Sequence, residues 1–292
     1  MSEQKSNLRW GVEQRLEFIE FRLFWEGTIN RADLIAQFGV SVPQASKDLS
    51  LYQDKAPENI KYDKSKKYYY AGPDFTPVYI KPDADQYLSL LRALGERTIK
   101  PEGSWLTEAP GLDCLPILHR RVKTDVLRTI LVAIRNRTAV DIEYQSMNPE
   151  RPDPVWRGIS PHAFGHDGLR WHVRAFCHVD RVFKDFLLSR CLDCRPAGDA
   201  HSSADNDRVW QDTIEITLIP NPQLSSSQQG VIAQDYDMQE GRLRLPIRKA
   251  LLYYLQKRLR LDVAQDRPQE APVVIENKKE FDRALAEAMG GK

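Results

Sequence analysis

The 292-residue chain is 41% hydrophobic and 28% charged, an ordinary soluble globular composition with room for two or three domains at about 100–200 residues each. Its 42 basic and 41 acidic side chains leave a formal net charge of +1, which selects no partner, and its four irregularly spaced cysteines make no disulfide framework. The opening MSEQKSNLRW lacks an apolar signal core and no long charge-free apolar run occurs, so a cytoplasmic protein with no membrane partner is expected.

The first element in chain order is a helix from Val12. Val12, Leu16, Ile19 and Leu23 recur at helical spacing, and Phe18, Phe21 and Trp25 widen the stripe enough to imply packing on two sides. Arg31 to Phe38 forms a second helix with Leu34 and Ile35 inward. Gly39 gives a tight turn the freedom it needs, and a third helix runs from about Val42 to Asp54. Ser41 stands at its N-cap and Gln44 completes a capping-box spacing. Pro43 is tolerated in a first turn, where its missing N–H needs no partner. Ala45 and Leu49 face inward, leaving Gln44, Ser46, Lys47 and Ser50 outward.

Asn59 to Asp63 and Lys67 to Ala71 read as two strands around Lys64-Ser65-Lys66. Two helices across a glycine turn, followed by a lysine-rich hairpin, form the pattern of a winged helix-turn-helix. Such a head places its last helix in the major groove and its hairpin on backbone phosphates. Lysine and glutamine suit base edges, so Gln44 and Lys47 are the candidate base readers. Ser41, Ser46, Lys64, Lys66 and Lys67 are candidate phosphate contacts. A helical domain whose charged hairpin binds protein is the alternative.

Tyr87, Leu88, Leu91 and Leu94 predict a helix within residues 83–97, and a looser stretch with Pro101, Gly103, Pro110 and Gly111 follows. Leu115 to Arg137 is read as helical again, with Ile117, Leu127, Ile130, Leu131 and Ile134 apolar. Its basic side chains, from Arg120 to Arg137, face only Asp125 in opposition, and residues 240–267 form a second basic block. The stretch 193–215, with Asp193, Asp199, Asp205, Asp207, Asp212 and Glu215, balances both. Separated blocks of sign steer a polyanion even near zero net charge; solvated helix faces are the plainer reading.

Strand signals begin at Val140, where Val140, Ile142 and Tyr144 alternate with polar residues. Further strands are read at Trp156 to Phe164, Gly168 to Cys177 and Phe183 to Cys191, a small and strongly bent antiparallel sheet. In the second of these, Leu169, Trp171, Val173, Ala175 and Cys177 share one face, and Arg170, His172 and Arg174 the other. Ser160 and His162 likewise share a face, and Arg190 falls with Phe186 and Leu188. An inward arginine needs an anion: Asp141, Glu143 or Asp185 of this chain, or a ligand. Thr213 to Ile219 and the region of Leu243 and Leu245 read as strands, Lys249 to Arg260 as a basic helix, and Phe281, Leu285 and Met289 mark a last helix.

Ser160-Pro161-His162, Arg170-Trp171-His172-Val173-Arg174 and Leu188-Ser189-Arg190 resemble the WYL domain, a small Sm-like β-barrel of bacterial regulators. Of its naming triplet Trp171 is kept, while His172 and Val173 replace Tyr and Leu. The whole chain resembles the BrxR/CapW type of repressor that controls phage-defence operons such as BREX and CBASS. The resemblance implies an α+β architecture of four parts. These are a winged helix-turn-helix (1–80), a helical connector (81–137), a WYL ligand-sensing domain (138–200) and an α/β dimerisation extension (208–292). It implies that Tyr144, Ser160, His162, Arg174 and Arg190 line a pocket for a nucleotide-like or nucleic-acid-derived anion. The implied partners are an inverted-repeat duplex, a second copy of the chain, and a nucleotide or oligonucleotide effector.

Cys191-Leu192-Asp193-Cys194 has a CxxC spacing, but Cys114 and Cys177 do not complete a four-ligand zinc set. No metal or cofactor is expected. No nucleophile elbow surrounds Ser160, and no P-loop or dinucleotide fingerprint occurs, so the chain is read as a regulator and not an enzyme. Two other readings stay open: an activator responding to single-stranded nucleic acid, and a nucleotide-acting enzyme with His162 as acid or base.

Overall fold

The computed structural model describes residues 10–100, 104–106, 109–115, 120–261, 263, 266–267 and 270–290, which fall into two units, 1–118 and 119–292. Pro101, Gly103 and Ile117 of the sequence reading lie outside the described residues.

In the first unit α1 (Trp10–Glu26) buries Leu16, Phe18, Ile19 and Leu23 almost completely. After β1 (Thr28–Ile29), α2 (Arg31–Phe38) begins at Asn30, whose side chain accepts from the Ala32 and Asp33 amides. It ends at Gly39, whose φ of 63° lies in the left-handed region that a residue without Cβ enters at least cost. Helix α3 (Val42–Lys55) is capped by Ser41, and β2 (Ile60–Asp63) and β3 (Tyr68–Ala71) make the hairpin. The three strands pair in the order β1-β3-β2. Two residues of β1 are too few to show periodicity, so the sequence reading missed that strand.

Helix α4 (Ala84–Gly95) presents Tyr87, which stacks on Trp25 at 4.4 Å, while Phe21 meets Trp105 edge-on. Thus α1 does pack on two sides. A buried carboxylate fastens the next segment. Glu20, 0% exposed, accepts from the Tyr52 hydroxyl at 2.8 Å and from the Val78, Tyr79 and Ile80 amides at 2.9, 2.6 and 2.7 Å. Backbone donors around a buried carboxylate supply the hydrogen bonds that water would otherwise make.

The second unit opens with α5 (Thr124–Asn136), shorter than the 115–137 reading. Its Val126, Ile130 and Ala133 pack on a sheet of β4 (Thr138–Tyr144), β5 (Val155–His166), β6 (Trp171–Cys177), β7 (Val182–Leu187) and β8 (Cys191–Asp199). The order is β7-β6-β5-β4-β8, antiparallel throughout. Val173, Ala175 and Cys177 are fully buried as expected, but Leu169 and Trp171 of the same expected face are 71% and 54% exposed. The expected strand 183–191 breaks into a 3₁₀ turn at Leu188–Arg190. That turn alone separates the two edge strands, so their ends lie within about 14 Å and the sheet is strongly curled. No ladder joins β7 to β8 among the described residues, so the sheet is open where a closed Sm-like barrel was expected.

The remainder comprises α6 (Arg208–Gln211), β9 (Thr213–Pro220), α7 (Ser226–Asp235), β10 (Leu243–Arg248), α8 (Leu252–Arg258), β11 (Val273–Ile275) and α9 (Lys278–Ala288). Its sheet has the order β10-β9-β11. Ile216 and Leu218 of β9 form a core with Leu252, Val273, Phe281 and Ala284. This matches the mixed α/β extension read from the sequence, but the short α6, the ten-residue α7 and the three-residue β11 were not foreseen.

Candidate functional site

The outward face of α3 and the hairpin carry the expected DNA-contact set. Lys47, Lys64, Lys66 and Lys67 are all exposed, and none is ion-paired among the described residues. The hairpin turn is held by Asp63, whose Oδ1 accepts from the Ser65 amide and hydroxyl at 2.8 and 2.6 Å and from the Lys66 amide at 3.1 Å. The Ser65 hydroxyl is the main reason its carboxyl titrates below the ordinary value. Lys67 adopts φ 56°, so the turn presents lysine at a position glycine would take at less cost.

Ser41 and Gln44 are more committed to the fold than expected. The Ser41 hydroxyl accepts from the Gln44 amide at 3.4 Å, but the reciprocal half of the capping box is not formed. Gln44 Nε2 instead donates forward to Asp48 at 2.8 Å. Asp48, 1% exposed, also takes Arg15 Nε at 2.6 Å. One amide hydrogen of the candidate adenine reader is therefore already engaged. Ser46 faces Arg31 Nη1 at 3.5 Å, which adds Arg31 to this face. Tyr62 and Tyr70 on the hairpin are 42% and 38% exposed and were also missed. Their signal was their very place in strands beside the lysines.

In the second unit the five residues expected to line one pocket divide into three groups. Tyr144 belongs to the core, 9% exposed, with its hydroxyl accepting from the Leu187 amide at 3.3 Å and hydrogen-bonded to the Arg190 side chain. Among the described residues Arg190 thus meets Tyr144 and not the carboxylates considered for it. It sits in the 3₁₀ turn, where the two-residue alternation used to place it does not apply. Ser160 Oγ lies 2.8 Å from His178 Nε2 and accepts from the His201 amide at 2.9 Å. The two imidazoles stack at 3.6 Å, and burial, then His201, lowers the His178 pKa.

The third group is the basic face of β6, and here the chain supplies its own anions. Arg174, 6% exposed, donates to both oxygens of Asp207, Nε to Oδ2 at 2.7 Å and Nη2 to Oδ1 at 3.0 Å, and reaches Asp185 at 3.4 Å. The expectation of an open anion wall is corrected accordingly. A bulge at position 162 breaks the β5–β6 register and re-aims His162, so it meets Asp207 at 3.0 Å while Ser160 does not. Burial by itself would raise the Asp207 carboxyl, but the bonds from His162 and Arg174 prevail and hold it at about 2. His172 meets Asp167 at 3.0 Å, and Tyr254 joins the halves, donating to Asp185 at 3.1 Å with His172 Nδ1 at 3.4 Å. The result is a connected polar chain from Asp167 through His172, Tyr254, Asp185, Arg174 and Asp207 to His162, in which His172, Arg174 and Asp207 are buried.

Asp207 was counted in the acidic stretch and not recognised as a site residue. It sits just before α6 and caps the Trp210 amide at 3.2 Å. His162 also borders a cavity of about 690 Å³ lined by Arg137, His201, Asp205 and the serines 202 and 203. Of the five expected pocket residues, His162 is the one that reaches it. Burial pushes the Cys191 and Cys194 thiols up to about 12 and about 11, which keeps the CxxC pair protonated and poorly suited to ligate a metal.

Comparison with known proteins matches three stretches of the chain. Residues 11–93 match the BrxR transcriptional regulator winged helix-turn-helix domain, residues 125–196 the WYL domain, and residues 213–281 the BrxR C-terminal dimerization domain. The DNA-binding transcriptional repressor CapW of Stenotrophomonas maltophilia is 38% identical over 99% of this chain and 97% of its own length. CapW of Escherichia coli strain KTE188 is 42% identical over 95% and 93%, and that of Pseudomonas aeruginosa 38% over 96% and 94%. The chain belongs to the CapW family of DNA-binding transcriptional repressors, built from a BrxR-type winged helix-turn-helix, a WYL domain and a BrxR C-terminal domain.

Proposed function

We propose that the chain is a homodimeric, cytoplasmic repressor of a phage-defence operon that occupies an inverted-repeat operator. The observation that carries this reading is the exposed set of Lys47, Lys64, Lys66 and Lys67 on α3 and the hairpin, in no ion pair among the described residues. Lysines left without carboxylates are suited to phosphate, and their distribution over a helix and a wing fits one groove and its flanking backbones. Lys47 and Gln44 read bases; Ser41, Ser46 and the three hairpin lysines hold phosphates. Dimerisation through the C-terminal domain sets two heads at a fixed spacing.

Release is assigned to an anionic, nucleotide-like effector in the curled sheet domain, entering by the cavity beside His162. Asp207 occupies the position of such an anion, bonded to Arg174 and His162. A phosphate that takes over those donors frees Asp207, and with it the cap of α6 and the lead into β9. A switch of this kind needs the effector to favour one state over the other, and exchange of one buried anion for another supplies that preference without stranding Arg174.

The test is selection of bound duplexes from a randomised pool by the full chain, with the selected duplex titrated against salt. An inverted repeat whose affinity falls steeply with salt is expected. Failure to enrich any sequence would overturn the operator reading.

A further inference from the structure

A second cavity in the 119–292 unit is more strongly basic than the first. Arg120, Arg170, Lys257, Arg258, Arg260 and Tyr253 surround a cleft of about 610 Å³, within the size range of small-molecule sites. Among the described residues its lining includes one carboxylate, Asp167, whose oxygens are already taken by the Leu169 and Arg170 amides, Arg170 Nε and His172 Nε2. Arg260 has Glu270 at 2.9 Å, but Arg120 and Arg258 are exposed and ion-paired with nothing among the described residues. Position 168 shows how closely the turn fits. Gly168 has φ 97°, a conformation other residues rarely adopt, and a Cβ there would push the Arg258 guanidinium aside. Tyr253, 41% exposed, offers a ring at the rim, and Tyr254 is fixed behind it by Asp185.

We propose that this cleft is a nucleoside triphosphate site. Guanidinium groups bind phosphate oxygens in pairs, and an exposed tyrosine face accepts a flat heterocycle. Charge density selects the triphosphate over a strand of nucleic acid. A phosphodiester strand brings one charge per nucleotide, so few of its charges fit a cleft of this size, whereas a triphosphate concentrates several on one small chain against five clustered cations. The assignment deepens the ligand-responsive reading by giving the regulator a second ligand, at a place separate from His162. Since it is read by binding without duplex, it fails or stands independently of operator recognition.

The experiment is fluorescence anisotropy of ribose-labelled ATP with the full chain and no duplex present. Competition by tripolyphosphate but not by adenosine is expected. Arg120→Ala/Arg258→Ala should weaken binding by about tenfold or more, and Tyr253→Ala should weaken ATP but not tripolyphosphate. Arg195→Ala/Arg244→Ala, which removes the same charge from exposed positions elsewhere, should leave it unchanged. No binding, equal loss in both double variants, or loss through Lys47→Ala/Lys64→Ala instead would overturn the proposal. Tighter binding of a short oligothymidylate, sensitive to Arg120 and Arg258, would overturn the triphosphate in favour of a phosphodiester.

Discussion

The two units treat positive charge in opposite ways. On the winged head, Lys47, Lys64, Lys66 and Lys67 are exposed and in no ion pair among the described residues, with Lys66 lying over the Tyr68 ring at 5.8 Å. On β6, Arg174, His172 and the neighbouring Arg170 are each met by a carboxylate of the same chain. Exposed lysines contribute little to the stability of their own fold and are available to a polyanion. Buried arginines are held in place by their partners, and a ligand reaches them only by displacing one. The first arrangement leaves its charge open to an outside partner, and the second satisfies its charge within the fold.

The largest effect expected from breaking this contrast is in the curled sheet. Arg174→Ala strands Asp207, which is 1% exposed, and should cost about 3–5 kcal/mol of unfolding free energy in chemical denaturation. Arg174→Met with Asp207→Asn, which removes both charges, should recover much of that loss; equal destabilisation by both variants would show that the ion pair is not what holds α6. Next in size, Lys47→Ala should cost about 1–3 kcal/mol of affinity for the selected operator and relax preference at one base position. Alanine at Lys64, Lys66 or Lys67 should weaken all duplexes alike and reduce the salt slope by about one each, measured by titration at several salt concentrations.

The smallest effect is in pH dependence. The His178 pKa is lowered from 6.5, so the unfolded chain takes up the proton first and stability contributed by the neutral ring is lost as pH falls through that value. His178→Asn should flatten this part of the stability profile in thermal melts at stepped pH. Asp207, held at about 2 against an ordinary 3.8, contributes stability that is complete above 3.8 and disappears only as pH falls toward 2. A variant lacking Asp207 should therefore show a shallower acid limb, on top of the pH-independent loss from leaving Arg174 without its main partner.

Much of the head was legible because its signals are local. Gly39 and Ser41 mark the end of α2 and the start of α3 by conformations and caps that depend on adjacent residues. The alternation of Val140, Ile142 and Tyr144 likewise identified β4. The effector region was less legible because its partners are remote in sequence. Asp207 lies 33 residues from Arg174 and 45 from His162, and nothing in a charge count distinguishes it from Asp205. The bulge at His162 and the 3₁₀ turn at Leu188–Arg190 each break the two-residue alternation from which faces were assigned, and so scattered the expected pocket. Gln44 could be placed outward from its spacing, but its bond to Asp48 depends on Arg15 of another helix.

The central claim is that the free cations of the head, and not positive charge in general, bind the operator. The most direct measurement is the operator affinity of the full chain with Lys47→Ala and with Arg195→Ala, the latter removing one exposed cation from the second unit. The account predicts a loss of about tenfold or more for Lys47→Ala and unchanged affinity for Arg195→Ala. Equal affinities for the two variants would contradict it.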